Sequence, residues 1–210
     1  MENSIMILCD IGNTTYHFLD KEREYKESVK LFDPSSFKDI VFYICVNVEA
    51  KKLLKHLKNW IDLSQYIDFS KYYATMGIDR IMACEAITQG VVVDAGSAVT
   101  VDIVKNSKFE GGFIYPGIKA IGKTYKNISN ALDYSFNFEL DLDKMPKNSR
   151  DAISYGYLKL LQSEVKSYNM DIYLTGGDAK EFVKIFPDSF VDEMLLFKGM
   201  KNIMKKADIC

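Results

Sequence analysis

The stretch "MILCDIGNTTYHFL", residues 6–19, decides how the chain is read. An apolar run meets one aspartate, a short polar turn follows, and a second apolar run leaves it. The β-branched and aromatic content predicts a β-hairpin, with "SIMILCD" as the first strand and "TYHFLD" as its partner. A carboxylate, a glycine, an asparagine and two threonines at the end of a buried strand have two readings. They are an ordinary polar turn, or a loop built to hold something charged. A second stretch bears on the choice: "VVVDAGSAVTVDIV", residues 91–104, is again an apolar strand, an Asp, one residue, a Gly, a small hydrogen-bonding residue and an apolar strand. Asp10 and Asp94 hold equivalent places. One pattern occurring twice predicts two copies of a supersecondary unit, hence two related halves. Their expected extents are residues 1–88 and 89–210.

The remaining segments complete an α/β reading. "IVFYICVNV" (residues 40–48) reads as a central strand, and "EAKKLLKHLKNWI" (49–61) has apolar residues at helical spacing with lysines on a solvated face, Trp60 falling in the core. "MGIDRIMACEAI" reads as a loop entering a helix at about Ile78. "KFEGGFIYPG" continues the second sheet, "RDAISYGYLKLLQSEV" is helical despite Gly156, and "ELDLDKMPKNS" before it is a loop. "DIYLTGG" is a strand ending in a glycine turn, and helices follow at "DAKEFVKIF" and "LLFKGMKNIMKKA". Strands and helices interleaved with hairpins predict mixed sheets flanked by helices.

Composition narrows the class. The chain has 210 residues, 48% of them apolar, enough for one large domain or two small ones with real cores. A net charge of −2 gives no general attraction to nucleic acid or anionic membrane, and no basic stripe suggests DNA binding. No apolar run approaches the roughly 20 residues of a membrane helix. "IMILC" is too short for the apolar core of a signal peptide, so a soluble cytoplasmic protein is expected. Cys9, Cys45, Cys84 and Cys210 show no Cys-x-x-Cys pairing, and His17 and His56 are the two histidines, so zinc spacing is absent. Three of those cysteines sit in apolar context and read as core residues.

The residue types in the two turns suggest a chemistry. Gly12 and Gly96 are expected to let the chain turn sharply and to leave backbone N–H groups open to a ligand. Asn13, Thr14, Thr15, Ser97 and Thr100 add side-chain donors. Such a loop suits phosphate oxygens, although neither turn is a Walker loop or a Gly-x-Gly-x-x-Gly fingerprint. Two carboxylates would repel phosphate unless a cation lay between them and the anion. Two facing loops of this kind would clamp a nucleoside triphosphate with its metal.

"GIDR", residues 77–80, is the third element. Asp79 falls in the expected first turn of a helix, where the dipole favours an ionised carboxylate. Such a carboxylate can accept the proton of a substrate hydroxyl during phosphoryl transfer. Arg80 can grip a carboxylate or phosphate bidentately. The alternative is a helix-start Asp followed by a surface Arg.

In this order "DIGNT", "GIDR", "DAGSAVTVD" and "GGFIYPG", with "NSRDAISYG", "YLTGGDA" and "LLFKGM" after them, resemble the type III pantothenate kinases. The resemblance covers almost the whole chain, and "GIDR" followed by "DAGSAVTVD" is its most discriminating part. It implies two ribonuclease-H-like halves of the actin-like ATPase superfamily, assembled as a homodimer. The implied reaction is ATP-dependent phosphorylation of pantothenate to 4′-phosphopantothenate, the first step towards coenzyme A, with Mg2+ and a monovalent cation, K+ or NH4+. By the same resemblance, Asp10, Ile11, Gly12, Asn13, Thr14, Thr15, Tyr16 and His17 form the first ATP-phosphate loop, and Ser97 contacts ATP. Gly77, Ile78, Asp79 and Arg80 line the pantothenate pocket, with Asp79 as the proton acceptor, and Asp94 holds the monovalent cation. Ser149 stands where the family usually has a substrate-binding Thr, and Ser97 also replaces a commoner Thr; both keep the hydroxyl. Tyr73, or its neighbour Tyr72, takes the place of a pocket tyrosine, at a shortened spacing from "GIDR". The "TGG" at residues 175–177 is placed near the adenosine.

Two rival readings are a different small-molecule kinase of the superfamily and a non-catalytic transcriptional accessory factor on the same fold. A sugar kinase would carry an extended sugar-binding insertion that this chain lacks. An accessory factor is expected to lose its aspartates, whereas Asp10, Asp79 and Asp94 are all present.

Overall fold

The computed structural model describes residues 6–209. Ser4 and Ile5 of the expected first strand, and Cys210, lie outside the described residues. The chain forms two compact units, Met1–Ala86 with Met194–Cys210, and Ile87–Glu193.

In the first unit, β1 (Ile7–Ile11), β2 (Thr15–Asp20), β3 (Arg23–Ser28), β4 (Val41–Cys45) and β5 (Trp60–Asp62) form one sheet in the order β3-β2-β1-β4-β5. β1, β2 and β3 are antiparallel neighbours, whereas β4 runs parallel to β1 and β5 parallel to β4. In the second unit, β6 (Gly90–Ala95), β7 (Ala98–Lys105), β8 (Lys108–Pro116), β9 (Ile172–Thr175) and β10 (Phe190–Val191) repeat the plan in the order β10-β9-β6-β7-β8. Again three strands are antiparallel neighbours, and two run parallel beside the first. The duplication read from the Asp10 and Asp94 turns is therefore a duplication of whole sheets, with β1 and β6 in equivalent central places. Parallel neighbours need crossovers, and α1 (Val48–Leu54) joins β4 to β5 while α5 (Ala179–Phe182) lies between β9 and β10. The other helices are α2 (Ile78–Glu85), α3 (Ile118–Ile128), α4 (Ser149–Ser167) and α6 (Leu195–Lys206).

Two expectations are corrected. The helix expected over residues 49–61 stops at Leu54, and Trp60 begins β5. Trp60 still lies in the core, where its Nε1 donates to the Pro34 carbonyl at 3.2 Å. α6 is formed as expected, but it packs on α2 and completes the first unit rather than residues 89–210. α3 falls in a stretch for which no helix was expected.

Each sheet buries one face in its own apolar cluster. Cys9, Ile11, Tyr16, Phe18, Val41, Tyr43, Leu54 and Trp60 form the first. Phe18 stacks on Tyr25 with centroids 4.8 Å apart, and Trp60 meets its ring edge-on at 6.2 Å. Val91, Val93, Val101, Leu158, Leu161, Leu174 and Phe182 anchor the second, with α4 laid along it. Gly156 interrupts α4 without a packing requirement, since a side chain there would meet nothing within 4 Å. Cys9, Cys45 and Cys84 are buried, as their apolar context predicts, and burial pushes the Cys45 thiol up to about 11. None of the helices among the described residues is long and apolar enough to cross a membrane.

Truncating Trp60 leaves a cavity among five aromatic rings and an unmet Pro34 carbonyl. Trp60→Ala is expected to cost about 3–5 kcal/mol, read as a lower urea midpoint for the first unit.

Candidate active site

The first turn is a tight closure of β1 onto β2. Gly12 N donates to the Thr15 carbonyl at 3.0 Å, leaving Asn13 and Thr14 exposed at the tip. Asn47 holds that tip from the neighbouring connection: its side chain caps α1 by accepting from Ala50 N at 2.9 Å, and its Nδ2 donates to the Asn13 carbonyl at 3.2 Å. Asn47 falls within the strand expected over residues 40–48, and nothing local in the sequence shows its link to Asn13. Ile11 and Tyr16 point into the aromatic core and anchor the turn from beneath. Asp10 lies on the opposite face with its register partner His17. His17 is held between Glu24, at 2.7 Å from its Nε2, and the Phe197 ring of α6, at 4.9 Å.

Gly12 does not adopt a positive φ, and a Cβ there would meet only the Thr15 carbonyl at 3.8 Å. Gly96 is likewise outside the positive-φ region. Neither glycine is needed for the turn itself. What each provides is bare backbone at the surface of a polar loop.

The second turn is more crowded from below. Gly96 N donates to the Ala98 carbonyl at 3.0 Å, and Gly117 N donates to the Ser97 carbonyl at 3.1 Å, so the start of α3 is pinned under the loop. A Cβ on Gly117 would strike the Gly96 and Ser97 carbonyls. Gly176 is positioned as closely on the other side: its φ is +88°, and a side chain there would strike the Asp94 carboxylate and the Ala95 carbonyl, 2.6 Å from the added carbon. Asp178 N then donates to that Ala95 carbonyl at 2.8 Å. The "TGG" turn thus closes directly on the Asp94 turn.

Strand register places three oxygen-bearing side chains in one row across the second sheet. Thr100 of β7 pairs with Asp94 of β6, and Asp94 pairs with Thr175 of β9. The row lies on the face opposite Val91, Val93 and Val101, and Thr175 is buried. Thr100 Oγ1 is buried and has no hydrogen-bond partner among the described residues. A buried hydroxyl left unsatisfied costs free energy, so one beside a carboxylate suits a ligand that oxygen atoms recognise. These oxygens fit a hard cation without nitrogen or sulfur ligands. No cluster of three or more His, Cys, Asp or Glu able to hold a metal occurs among the described residues. The neighbouring Asp102 on the same face is buried, a position the sequence reading left unassigned.

The third element is rigid and local. Gly77 precedes α2, and the Asp79 carboxylate folds back over the first turn, its Oδ1 accepting from Arg80 N at 2.9 Å. A Cβ on Gly77 would run into that carboxylate. Arg80 is 5% exposed rather than at the surface. Its guanidinium donates to the Tyr73 hydroxyl and lies 5.7 Å from that ring's centroid. Tyr73 is thus the tyrosine that reaches the "GIDR" segment. Tyr72 turns away and donates to Glu85 Oε1 at 2.8 Å; burial and that bond push its pKa up. Ser149 is the first residue of α4 and exposed, beside a helix start fixed by Asn148, which accepts from Asp151 N at 2.9 Å.

Comparison with known proteins bears on what this arrangement does. The second unit's turns and the sheet duplication place the chain in the actin-like ATPase fold. A 2-dehydro-3-deoxygalactonokinase-like protein from Sinorhizobium meliloti shares that fold, at TM-score 0.54 and 9% identity over 96% of each chain. The profile of the type III pantothenate kinase family matches residues 45–169. A type III pantothenate kinase from Sulfurimonas denitrificans is 72% identical over 98% of this chain and 100% of its own, and one from Campylobacter jejuni is 43% identical over 96% and 97%. A solved Campylobacter jejuni structure, of a protein named for a Baf family of transcriptional activators, superposes at TM-score 0.86 with 43% identity, over 97% of this chain and 100% of that one. The chain belongs to the type III pantothenate kinase family.

Gly176→Ala forces a side chain into a positive-φ position against Asp94. It is expected to lower stability by about 1–3 kcal/mol from backbone strain alone, seen by denaturant unfolding. Gly122→Ala, inside α3 where a Cβ meets nothing within 4 Å, is the contrasting case, expected to raise stability by about 0.5–1 kcal/mol.

Proposed function

We propose that the protein transfers the terminal phosphoryl group of ATP to the 4′-hydroxyl of pantothenate, releasing ADP and 4′-phosphopantothenate, the first step of coenzyme A synthesis. The observation that carries this is the Asp79 carboxylate, which accepts from Arg80 N at a helix start, in space that a side chain at residue 77 would fill, beside a buried arginine and in a chain 72% identical to a type III pantothenate kinase. Gly12, Asn13, Thr14, Thr15 and His17, with the main chain of Ile11 and Tyr16, take the ATP phosphates, Asp10 would meet them through the cation that accompanies ATP, and Ser97 adds a hydroxyl. Gly77, Ile78, Arg80, Tyr73 and Ser149 hold pantothenate.

In the transfer, the pantothenate hydroxyl oxygen bonds to the γ-phosphorus as the bond to the β–γ bridging oxygen breaks. The hydroxyl proton passes to the Asp79 carboxylate. Arg80 is held by Tyr73 with its charge ordered before substrate arrives, so little reorganisation accompanies the reaction. Backbone N–H groups of the polar turns offset charge on the transferring group. Asp94, with Thr100 beside it, would hold K+ or NH4+, and Mg2+ would accompany ATP; such cations neutralise phosphate charge. The protein acts in the cytoplasm as a homodimer.

The alternative of a transcriptional accessory factor draws on the name of the Campylobacter jejuni structure. It gives no role to a carboxylate held this way at residue 79. A sugar-kinase reading is met by supplying sugars as competing acceptors.

With purified protein, ATP, Mg2+ and K+, 4′-phosphopantothenate is the expected product. Asp79→Asn is expected to lose about 10²- to 10⁴-fold in turnover with an unchanged unfolding midpoint. Wild-type turnover in that variant refutes the base assignment, and absence of product from the parent protein under any cation refutes the kinase reading. Replacing K+ by Na+ is expected to abolish turnover and NH4+ to restore it, while Asp94→Asn is expected to remain inactive with all three.

A further inference from the structure

The short helix α2 carries Asp79 and Arg80 at one end, and the structure binds it to α6 along its other side. Gly199 lies in the middle of α6, buried, where a Cβ would overlap the Met82 carbonyl and lie 3.1 Å from Met82 Cα. The clash is with backbone, so no side-chain rotation relieves it. One turn further along the same face of α6, Asn202 Nδ2 donates at 2.9 Å to the carbonyl of Glu85, one of the last in α2 and without a helical partner. Another turn on, Lys206 Nζ pairs with Glu85 Oε2. The other carboxylate oxygen of Glu85 accepts from Tyr72, and the side chain is only 10% exposed.

Residues 199, 202 and 206 follow the i, i+3, i+7 spacing of one helix face. They grip α2 at its middle and at its C-terminal end. The segment before α2 closes the circuit, because adjacent tyrosines reach opposite ends of the helix: Tyr72 goes to Glu85 and Tyr73 to Arg80. Tyr73, Asp79 and Arg80 thus belong to one rigid piece whose placement is set by α6.

We propose that α6 is a positioning element for the acceptor substrate, with Gly199 setting how closely α2 seats and the Lys206–Glu85–Tyr72 chain setting its position along the helix axis. The inference rests on the assignment of Tyr73, Asp79 and Arg80 to the pantothenate side. None of Gly199, Asn202, Lys206 or Glu85 needs to touch substrate for it to hold. α6 also meets the ATP-phosphate loop, through Phe197 on His17, but Gly199 and Lys206 act on α2, so displacing α2 falls more heavily on pantothenate than on ATP.

The test uses the whole chain, with steady-state kinetics for both substrates and hydrogen–deuterium exchange over residues 72–85. Gly199→Ala is expected to raise KM for pantothenate roughly threefold or more and to lower kcat roughly tenfold or more, with a smaller change in KM for ATP. Lys206→Met is expected to shift the same way more weakly, Lys206→Arg to recover, and both Gly199→Ala and Lys206→Met to speed exchange over residues 72–85. Val41→Ala, in the cluster of Trp60 and Leu54, lowers stability and is expected to leave both KM values unchanged. Equal KM values for both substrates in Gly199→Ala and Lys206→Met, with exchange as in the parent, overturn the proposal. If Gly199→Ala does not fold, the Lys206 pair decides. A parent protein without pantothenate turnover removes the kinase reading, and unaltered exchange in Lys206→Met then removes the coupling as well.

Discussion

An aspartate at the end of a buried central strand is a costly placement unless its surroundings are organised for it, since a desolvated charge is destabilising without partners. In the second unit the strand ladder provides that organisation. β7 and β9 flank β6 in a register that puts a threonine on each side of Asp94. The turn residues Gly96, Gly117 and Gly176 bring three separate backbone segments against the same point. The position of this carboxylate is therefore fixed by hydrogen bonds within the sheet and by contacts that tolerate no side chain, not by a flexible loop. The catalytic reading depends on that rigidity, because preorganised charge acts without reorganising at the moment of reaction.

The two sheets solve the same problem with different chemistry in the flanking positions. The equivalent of the Thr100–Asp94–Thr175 row in the first unit is His17, Asp10 and Ile44. An imidazole and an aliphatic side chain replace two hydroxyls, and His17 is occupied by Glu24 and Phe197. Duplicated architecture has thus been retained while the side chains beside each carboxylate have diverged. The cation reading belongs to the second unit, where the orphaned hydroxyl lies.

Local features were legible in the sequence and distant ones were not. Both Asp-x-Gly turns, the strand pairs around them and the helix start at Ile78 follow from short-range patterning, and all are present. Trp60 fits the helical spacing of Leu53, Leu54 and Leu57, yet its ring is claimed by Phe18, Phe37 and the Pro34 carbonyl, which are far from it in sequence. α3, with Gly122, Thr124 and Asn127 among its residues, has weak helical character and escaped notice. The burial of Arg80 depends on tertiary packing that "GIDR" alone does not reveal. The close packing at Gly199 is hidden in the same way: Gly122 and Gly156 also interrupt helices, and a Cβ at either would meet nothing within 4 Å.

The discontinuity of the first unit has a consequence for biosynthesis. Residues 87–193 form an uninterrupted unit, whereas the earlier segment waits for α6 to pack on α2. On the ribosome the order of completion is inverted: the half that emerges first is finished last. Until α6 leaves the exit tunnel, the nascent N-terminal half lacks the helix that packs on α2, whose Ile81, Met82 and Cys84 are buried in the mature fold.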